Sequence, residues 1–275
     1  MWITNRFKAP NASLQLDPFP TAELTRLLYQ FLALIGVHRR SSASVLVLLF
    51  GVLAPWRFDV AVAANIAIDV GHYLEKPGVI SARGVTEFEY NLRLAREISD
   101  ALRQAGHKVI LIGDDGMADN LGRRSPRAAG MDLFISVHHD SVQPRFLTEW
   151  EHKGALLLYS DRFAGFSLFV SRLHPHTEAG LKCASAIGAE LRRSGFAPSL
   201  YHADPIVGEN RPFADEKNGV HYFDNLAVLK TAGIPALLFE AGVIVNRDEE
   251  LRMRDPAVRH RIVASITAAV GTCLK

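Results

Sequence analysis

The feature that most constrains this chain is a recurrence of short, continuous apolar runs separated by longer amphipathic stretches. IAIDV (66–70), HKVILIG (107–113), MDLFISVHH (131–139), GALLLYS (154–160) and IPALLFEAG (234–242) each have the length of a strand. Runs such as VILI and ALLF do not alternate apolar with polar residues, so their sheet is covered on both faces, as parallel strands are. Between them, helical spacing runs from Glu87 to Gln104, from Leu181 to Arg193, over a shorter piece from Asp224 to Thr231, and from Pro256 to Leu274. The alternation predicts a single α/β domain, a mostly parallel sheet with helices on both faces. A chain of 275 residues, 48% hydrophobic, is long enough to bury such a core. The aromatic stretch between Gln143 and Pro198 breaks the rhythm and is expected to be an irregular surface excursion near the strand ends.

The residues ahead of the first strand read differently. HRRSSASVLVLLFGVLAPW (38–56) has a basic start, then the apolar run Val45 to Ala54, and AVAAN follows at 61–65. A basic flank, a brief apolar core and a small-x-small site describe a secretory signal peptide, and the run is too short for an ordinary membrane span. The expected organisation is a leader over residues 1–63 and a folded domain over 64–275. Such a protein would be exported to the periplasm or cell-wall space, with no stable membrane span after processing. An uncleaved anchor is the alternative. Residues 1–36 do not fit a signal peptide, which suggests that translation begins near Val37.

Composition removes other classes. Charged residues make up 22% and the net charge is only +2, so no basic surface points to nucleic acid. No G-x-G-x-x-G, P-loop or G-x-S-x-G occurs, which argues against nucleotide binding and a serine mechanism. Cys183 and Cys273 form no CxxC pair and suggest neither a thiolate metal site nor a disulfide framework. Both fall in helical segments and are expected to be small buried apolar residues.

In open α/β sheets, sites gather beyond the carboxyl ends of the strands. Polar residues there are few: His72 after IAIDV, His138, His139 and Asp140 ending MDLFISV, and Glu240 ending PALLF. Successive side chains on a strand point to opposite faces, so His138 and His139 cannot share one job. Thr86 and Glu89 have the spacing of a capping box, which gives Glu89 a structural role and leaves Glu87 free in the first helical turn. Two histidines and one carboxylate around an open position is a common catalytic zinc shell, with a second carboxylate as base. His72, Glu87 and His138 can form that shell, with Glu240 as the base.

IAIDVGH, RGVTEFEYNLRLAREISDALRQAGHKV, MDLFISVHHDS and NLAVLKTAGIPALLFEAGVIVNRDEE together resemble the zinc-dependent N-acetylmuramoyl-L-alanine amidases, over a span from Ile66 to the end. The resemblance implies one zinc ion and cleavage of the amide between N-acetylmuramic acid and the L-alanine of peptidoglycan stem peptides, in wall remodelling or daughter-cell separation. It places the metal ligands on His72, Glu87 and His138 and the catalytic carboxylate on Glu240, in agreement with the capping argument. His139 then becomes a pocket-wall or supporting residue. His139, the GENR segment from Glu209 through Asn210 to Arg211, and Asp224 are the expected substrate contacts, Arg211 toward a stem-peptide carboxylate. Peptidoglycan is the implied partner, with a protein activator as a further candidate. The loop Asp69-Val70-Gly71-His72-Tyr73-Leu74 departs from the common D-P-G-H-G-G without removing a ligand, and Gln143–Asn218 shows no match to the long blocking helix of some division amidases. A non-catalytic peptidoglycan-binding or regulatory protein and a zinc peptidase acting within the stem peptide are the rival functions. The full set of two histidines and two glutamates favours turnover.

Overall fold

The computed structural model describes residues 63–275. The leader, its signal peptide and the Val37 start therefore lie outside the described residues. The predicted strands and helices form one α/β domain around a seven-stranded sheet. Strands β1 (Asn65–Val70), β2 (Lys108–Ile112) and β3 (Leu133–Asp140) are followed, after a β4–β5 hairpin (Thr148–His152, Ala155–Tyr159), by β6 (Ser167–Val170), β7 (Phe213–Asp215), β8 (Val220–Tyr222) and β9 (Ala236–Val243). The order across the sheet is β2-β1-β3-β9-β6-β8-β7, parallel except where β9 meets β6 and β8 meets β7. No helix among the described residues is long and apolar enough to cross a membrane.

Side-chain alternation sorts the long strands into two faces. Ile66, Ile68, Leu133, Ile135, Leu237 and Phe239 point into the larger core, beneath helices α1 (Glu87–Gln104), α2 (Thr177–Arg193) and α4 (Pro256–Cys273). Ala67, Phe134 and Leu238 point the other way, into a thinner core closed by Val228 and Leu229 of a single helical turn, Ala227–Lys230. Helix α3 (Arg247–Arg254) follows β9 and is capped by Asn246, whose side chain accepts from the amides of Asp248 and Glu249. By the same alternation Asp69, Ser136, His138 and Glu240 share the thinner face, and His139 faces α1.

Three expectations need correction. GALLLYS does form a strand, but β5 pairs only with β4, outside the main sheet. The stretch expected to be a surface excursion contains β6, a fully buried strand between β9 and β8. SLFV is a continuous apolar run like the others; four residues among basic and aromatic neighbours hid it. Cys183 and Cys273, which suggested no disulfide framework, are disulfide-bonded and staple α2 to α4. They are buried, as expected, but the pairing joins positions 90 residues apart, which spacing alone could not reveal.

Candidate active site

Glu87 opens α1 and is the hub of the site. Thr86 caps the helix as expected, its Oγ1 accepting from the Glu89 amide at 3.3 Å and donating to Glu89 Oε1 at 3.1 Å. The cap turns Glu87 inward, where its carboxylate stands between two imidazoles. His72 Nε2 lies 2.9 Å from Oε2 and His138 Nδ1 3.0 Å from Oε1. Burial alone would push this carboxyl up, but hydrogen bonding and charge from His138 and His72 outweigh it and hold it below the usual range. The amide of Val79 also donates to Oε2, and the positive end of the helix favours an anion there. Among the described residues, His72, Glu87 and His138 are the one set of side chains placed to share a metal ion, with donor atoms all within 4.8 Å.

Local backbone explains how His72 reaches this point. It sits in the left-handed region, φ 67°, which costs a non-glycine residue of order 1 kcal/mol or more and persists only where the surroundings enforce it. Arg124, 1% exposed, does the enforcing. Its guanidinium donates to Asp69 Oδ1 at 2.8 Å, to Ala118 O, and closely to the carbonyls of Val70 and His72. Asp69 is raised by burial, against the lowering effect of Arg124 and Ser136. Gly71 is required by space: a Cβ there would lie 2.4 Å from the His138 ring.

Glu240 is the register partner of His138 across β3 and β9. Its Oε2 is buried without a hydrogen-bond partner. Burial, with the charges of Asp140 and Glu87, pushes its pKa well above the usual carboxyl value, against Arg211. Glu240, Leu226 and Leu238 line two cavities at once. One, about 390 Å³, is mostly apolar and holds His72, His138, Tyr73 and Leu121. The other, about 260 Å³, is charged and holds Asp140, His202, Glu209 and Arg211. In the charged lobe His202 bridges two carboxylates, Nε2 to Asp140 Oδ2 at 2.6 Å and Nδ1 to Glu209 Oε2 at 2.9 Å. Arg211 pairs with Glu209 and lies over Phe223 at 4.1 Å, yet its Nε is buried and unpaired.

The expected substrate contacts fare differently. Arg211 and Glu209 line the charged lobe. His139 is 1% exposed on the opposite face of β3, against Asn91 and Tyr90, and lines neither lobe. Burial holds its pKa down at about 3. Asn210 is exposed on a left-handed turn (φ 61°), outside both lobes. Asp224 is held by Arg172, whose Nε donates to Oδ2 at 3.0 Å, and that hydrogen bond lowers its pKa. All three therefore stand outside the two lobes that meet at Glu240. The sequence reading missed Asn91, Arg124 and His202. Asn91 had a signal, since it falls four residues after Glu87 on the same helix face.

The comparisons with known proteins come to the same place. The family model described as N-acetylmuramoyl-L-alanine amidase (Amidase_3) matches residues 66–272. N-acetylmuramoyl-L-alanine amidase AmiC of Neisseria meningitidis serogroup B is 36% identical over 219 residues, 74% of this chain and 51% of that protein. The chain spans about half the length of the curated relatives it matches. In fold, it matches the crystal structure of the N-acetylmuramyl-L-alanine amidase Ami1 from Mycobacterium smegmatis with a TM-score of 0.60 at 17% identity, over 77% of this chain and 96% of that one. A similar match, TM-score 0.55 at 17% identity over 77% and 98% of the two chains, is the CwlD amidase from Clostridioides difficile, solved in complex with the GerS lipoprotein. A family match that runs through nearly all the described residues settles membership: the chain belongs to the N-acetylmuramoyl-L-alanine amidase family.

Proposed function

We propose that this protein hydrolyses the amide between the lactyl group of N-acetylmuramic acid and the L-alanine of peptidoglycan stem peptides. The observation that carries the reading is the placement of Glu240, buried with a free oxygen, beside a carboxylate held between two histidines. Two imidazole nitrogens and one carboxylate oxygen suit zinc, so His72, Glu87 and His138 would hold a single zinc ion. Zinc held there supplies Lewis acidity, polarising the amide carbonyl and lowering the pKa of water.

The rest of the reaction belongs to this chain's residues. Glu240 accepts a proton from the attacking water while the oxygen adds to the lactyl carbonyl. As the C–N bond breaks, Glu240 returns that proton to the alanine nitrogen. Burial raises the proton affinity of Glu240, which suits a group that must both take and give. With the scissile bond at Glu240, the apolar lobe takes the muramyl side and the charged lobe takes the stem peptide. There the unpaired Nε of Arg211 faces a peptide carboxylate.

The disulfide supports an oxidising compartment, the periplasm or cell-wall space. Such a location suits a role in wall remodelling or cell separation, and the lipoprotein in complex with CwlD is the precedent for a protein partner, which for this chain would be an activator.

The test is mass spectrometry of the soluble products from purified sacculi, with added zinc, with chelator, and with His138→Ala. Stem peptides carrying an L-alanine amino terminus, absent from both controls, are expected. Peptides cut internally would mean a zinc peptidase, and sacculi bound but intact, with or without candidate activators, a binding protein.

A further inference from the structure

The dipeptide His138-His139 divides its side chains between the faces of β3, and only the first reaches the metal ligands. The second makes a single side-chain hydrogen bond. His139 Nδ1 stands 2.8 Å from Asn91 Oδ1, and its Nε2 is buried with no partner. Asn91, itself fully buried, uses the other end of its amide twice: Nδ2 donates to Glu87 Oε1 at 3.1 Å and to the carbonyl of Gly71 at 3.2 Å. One of these acceptors is the carboxylate of the site, and the other is the backbone immediately before His72. Asn91 thus ties together two of the three candidate ligands, which come from different elements.

An amide can be turned end for end at almost no cost in shape, but not in chemistry. Turned over, Asn91 would set its oxygen against Glu87 Oε1 and the Gly71 carbonyl, acceptor against acceptor. Those two acceptors set the productive sense, and a donor on the Oδ1 side completes the hold on the amide; among the described side chains His139 is the one in that place. We propose that His139 is a positioning residue for the metal centre, acting through Asn91 to aim Glu87 and the His72 turn. The proposal rests on the reading of His72, Glu87 and His138 as zinc ligands. Partners of this kind, one step behind the ligands, commonly govern metal affinity by 10–100-fold.

The experiment is zinc affinity by competition with a chromophoric chelator, with thermal unfolding of each metal-free variant alongside. His139→Leu fills the space without a donor and is expected to weaken zinc binding about 10–100-fold. His139→Asn, whose Nδ2 falls where Nδ1 was, should recover most of it. Asn91→Ala should lose as much as His139→Leu, and the double variant no more than either alone, because the two act in series. Parental zinc affinity in His139→Leu, or losses that add, would overturn the proposal. A packing role alone would lower the unfolding temperature and leave zinc affinity unmoved. If His139→Leu does not fold, Asn91→Ala decides: parental affinity there leaves His139 nothing to act through. A parent that binds no zinc, or binds it equally after His138→Ala, would instead sink the metal reading itself.

Discussion

The sheet has two unlike halves that meet at β9. On one side, β2, β1, β3 and β9 are five to eight residues long and parallel throughout. Their carboxyl ends carry His72, His138 and Glu240. On the other, β6, β8 and β7 are four, three and three residues long and enter through antiparallel junctions. That half presents few side chains of its own and lends the site a loop, from which His202, Glu209 and Arg211 line the charged lobe. The contrast suggests a division of labour. On the proposed reading, chemistry would sit where long buried strands hold side chains rigidly, and recognition of the charged end of the substrate on loops, which can vary without disturbing the core.

The largest effect expected from this division is at the border. Glu240→Gln keeps the shape and removes the proton acceptor, so kcat should fall about 10²–10⁴-fold, with zinc content by elemental analysis unchanged. Activity within about tenfold of the parent would mean that the border residue is not the base. The next effect is structural and belongs to the short-stranded half. Replacing Cys183 and Cys273 by alanine opens a link across 90 residues between α2, which covers β6 and β9, and α4. Urea unfolding should show a loss of about 2–4 kcal/mol. No measurable loss would show that this half holds together without its staple.

The two halves also differ in how much of them could be read in the sequence. Long apolar runs announced β1, β2, β3 and β9, and the rule that sites lie beyond strand ends then picked out His72, His138 and Glu240. The capping spacing of Thr86 and Glu89 separated Glu87 from its neighbour, and the observed cap agrees. Strands of three or four residues carry too little pattern to announce themselves, so β6, β7 and β8 were missed. His202 escaped for a related reason. It meets Asp140 only because the chain returns from 62 residues away, and no local spacing encodes that. Arg124 lay in a stretch that reads as an ordinary polar loop, although its guanidinium is fully buried on Asp69. Asp224 shows the converse: it reads as a free acid until Arg172 is seen beside it.

Smaller effects sharpen the recognition side. Arg211→Ala removes the guanidinium that lines the charged lobe. Loss of a charge-assisted hydrogen bond is worth about 1.5–3 kcal/mol, so kcat/KM for peptidoglycan fragments should fall roughly 10–100-fold. Most of that change should appear in KM, because the lobe binds substrate in ground and transition states alike. A fall confined to kcat would place Arg211 in the chemistry and erase the division.

The last expected effect is of pH on stability, and it also originates in the short-stranded half. His221 of β8 is fully buried, with Nε2 facing the Ser199 carbonyl at 3.3 Å and Nδ1 without a partner. Burial, then the charge of His202, lowers its pKa to about 4 from an ordinary 6.5. Between those values the unfolded chain binds more protons than the folded one. The stabilisation is therefore complete above pH 6.5 and is lost as pH falls toward 4. The slope approaches at most about 1.4 kcal/mol per pH unit. Buried carboxyls with raised pKa values, Glu240 and Asp69, act in the opposite sense, so the effect is read as the difference between parent and variant in the urea midpoints of the metal-free protein at pH 7, 6 and 5. In His221→Phe, whose ring suits the surrounding Phe169 and Phe213, the decline should be shallower. His139 in the long-stranded half, lowered to about 3, would account for what persists. An equal slope in the variant would mean that His221 contributes nothing to the acid sensitivity, leaving it to His139 and to His174, whose pKa burial also lowers.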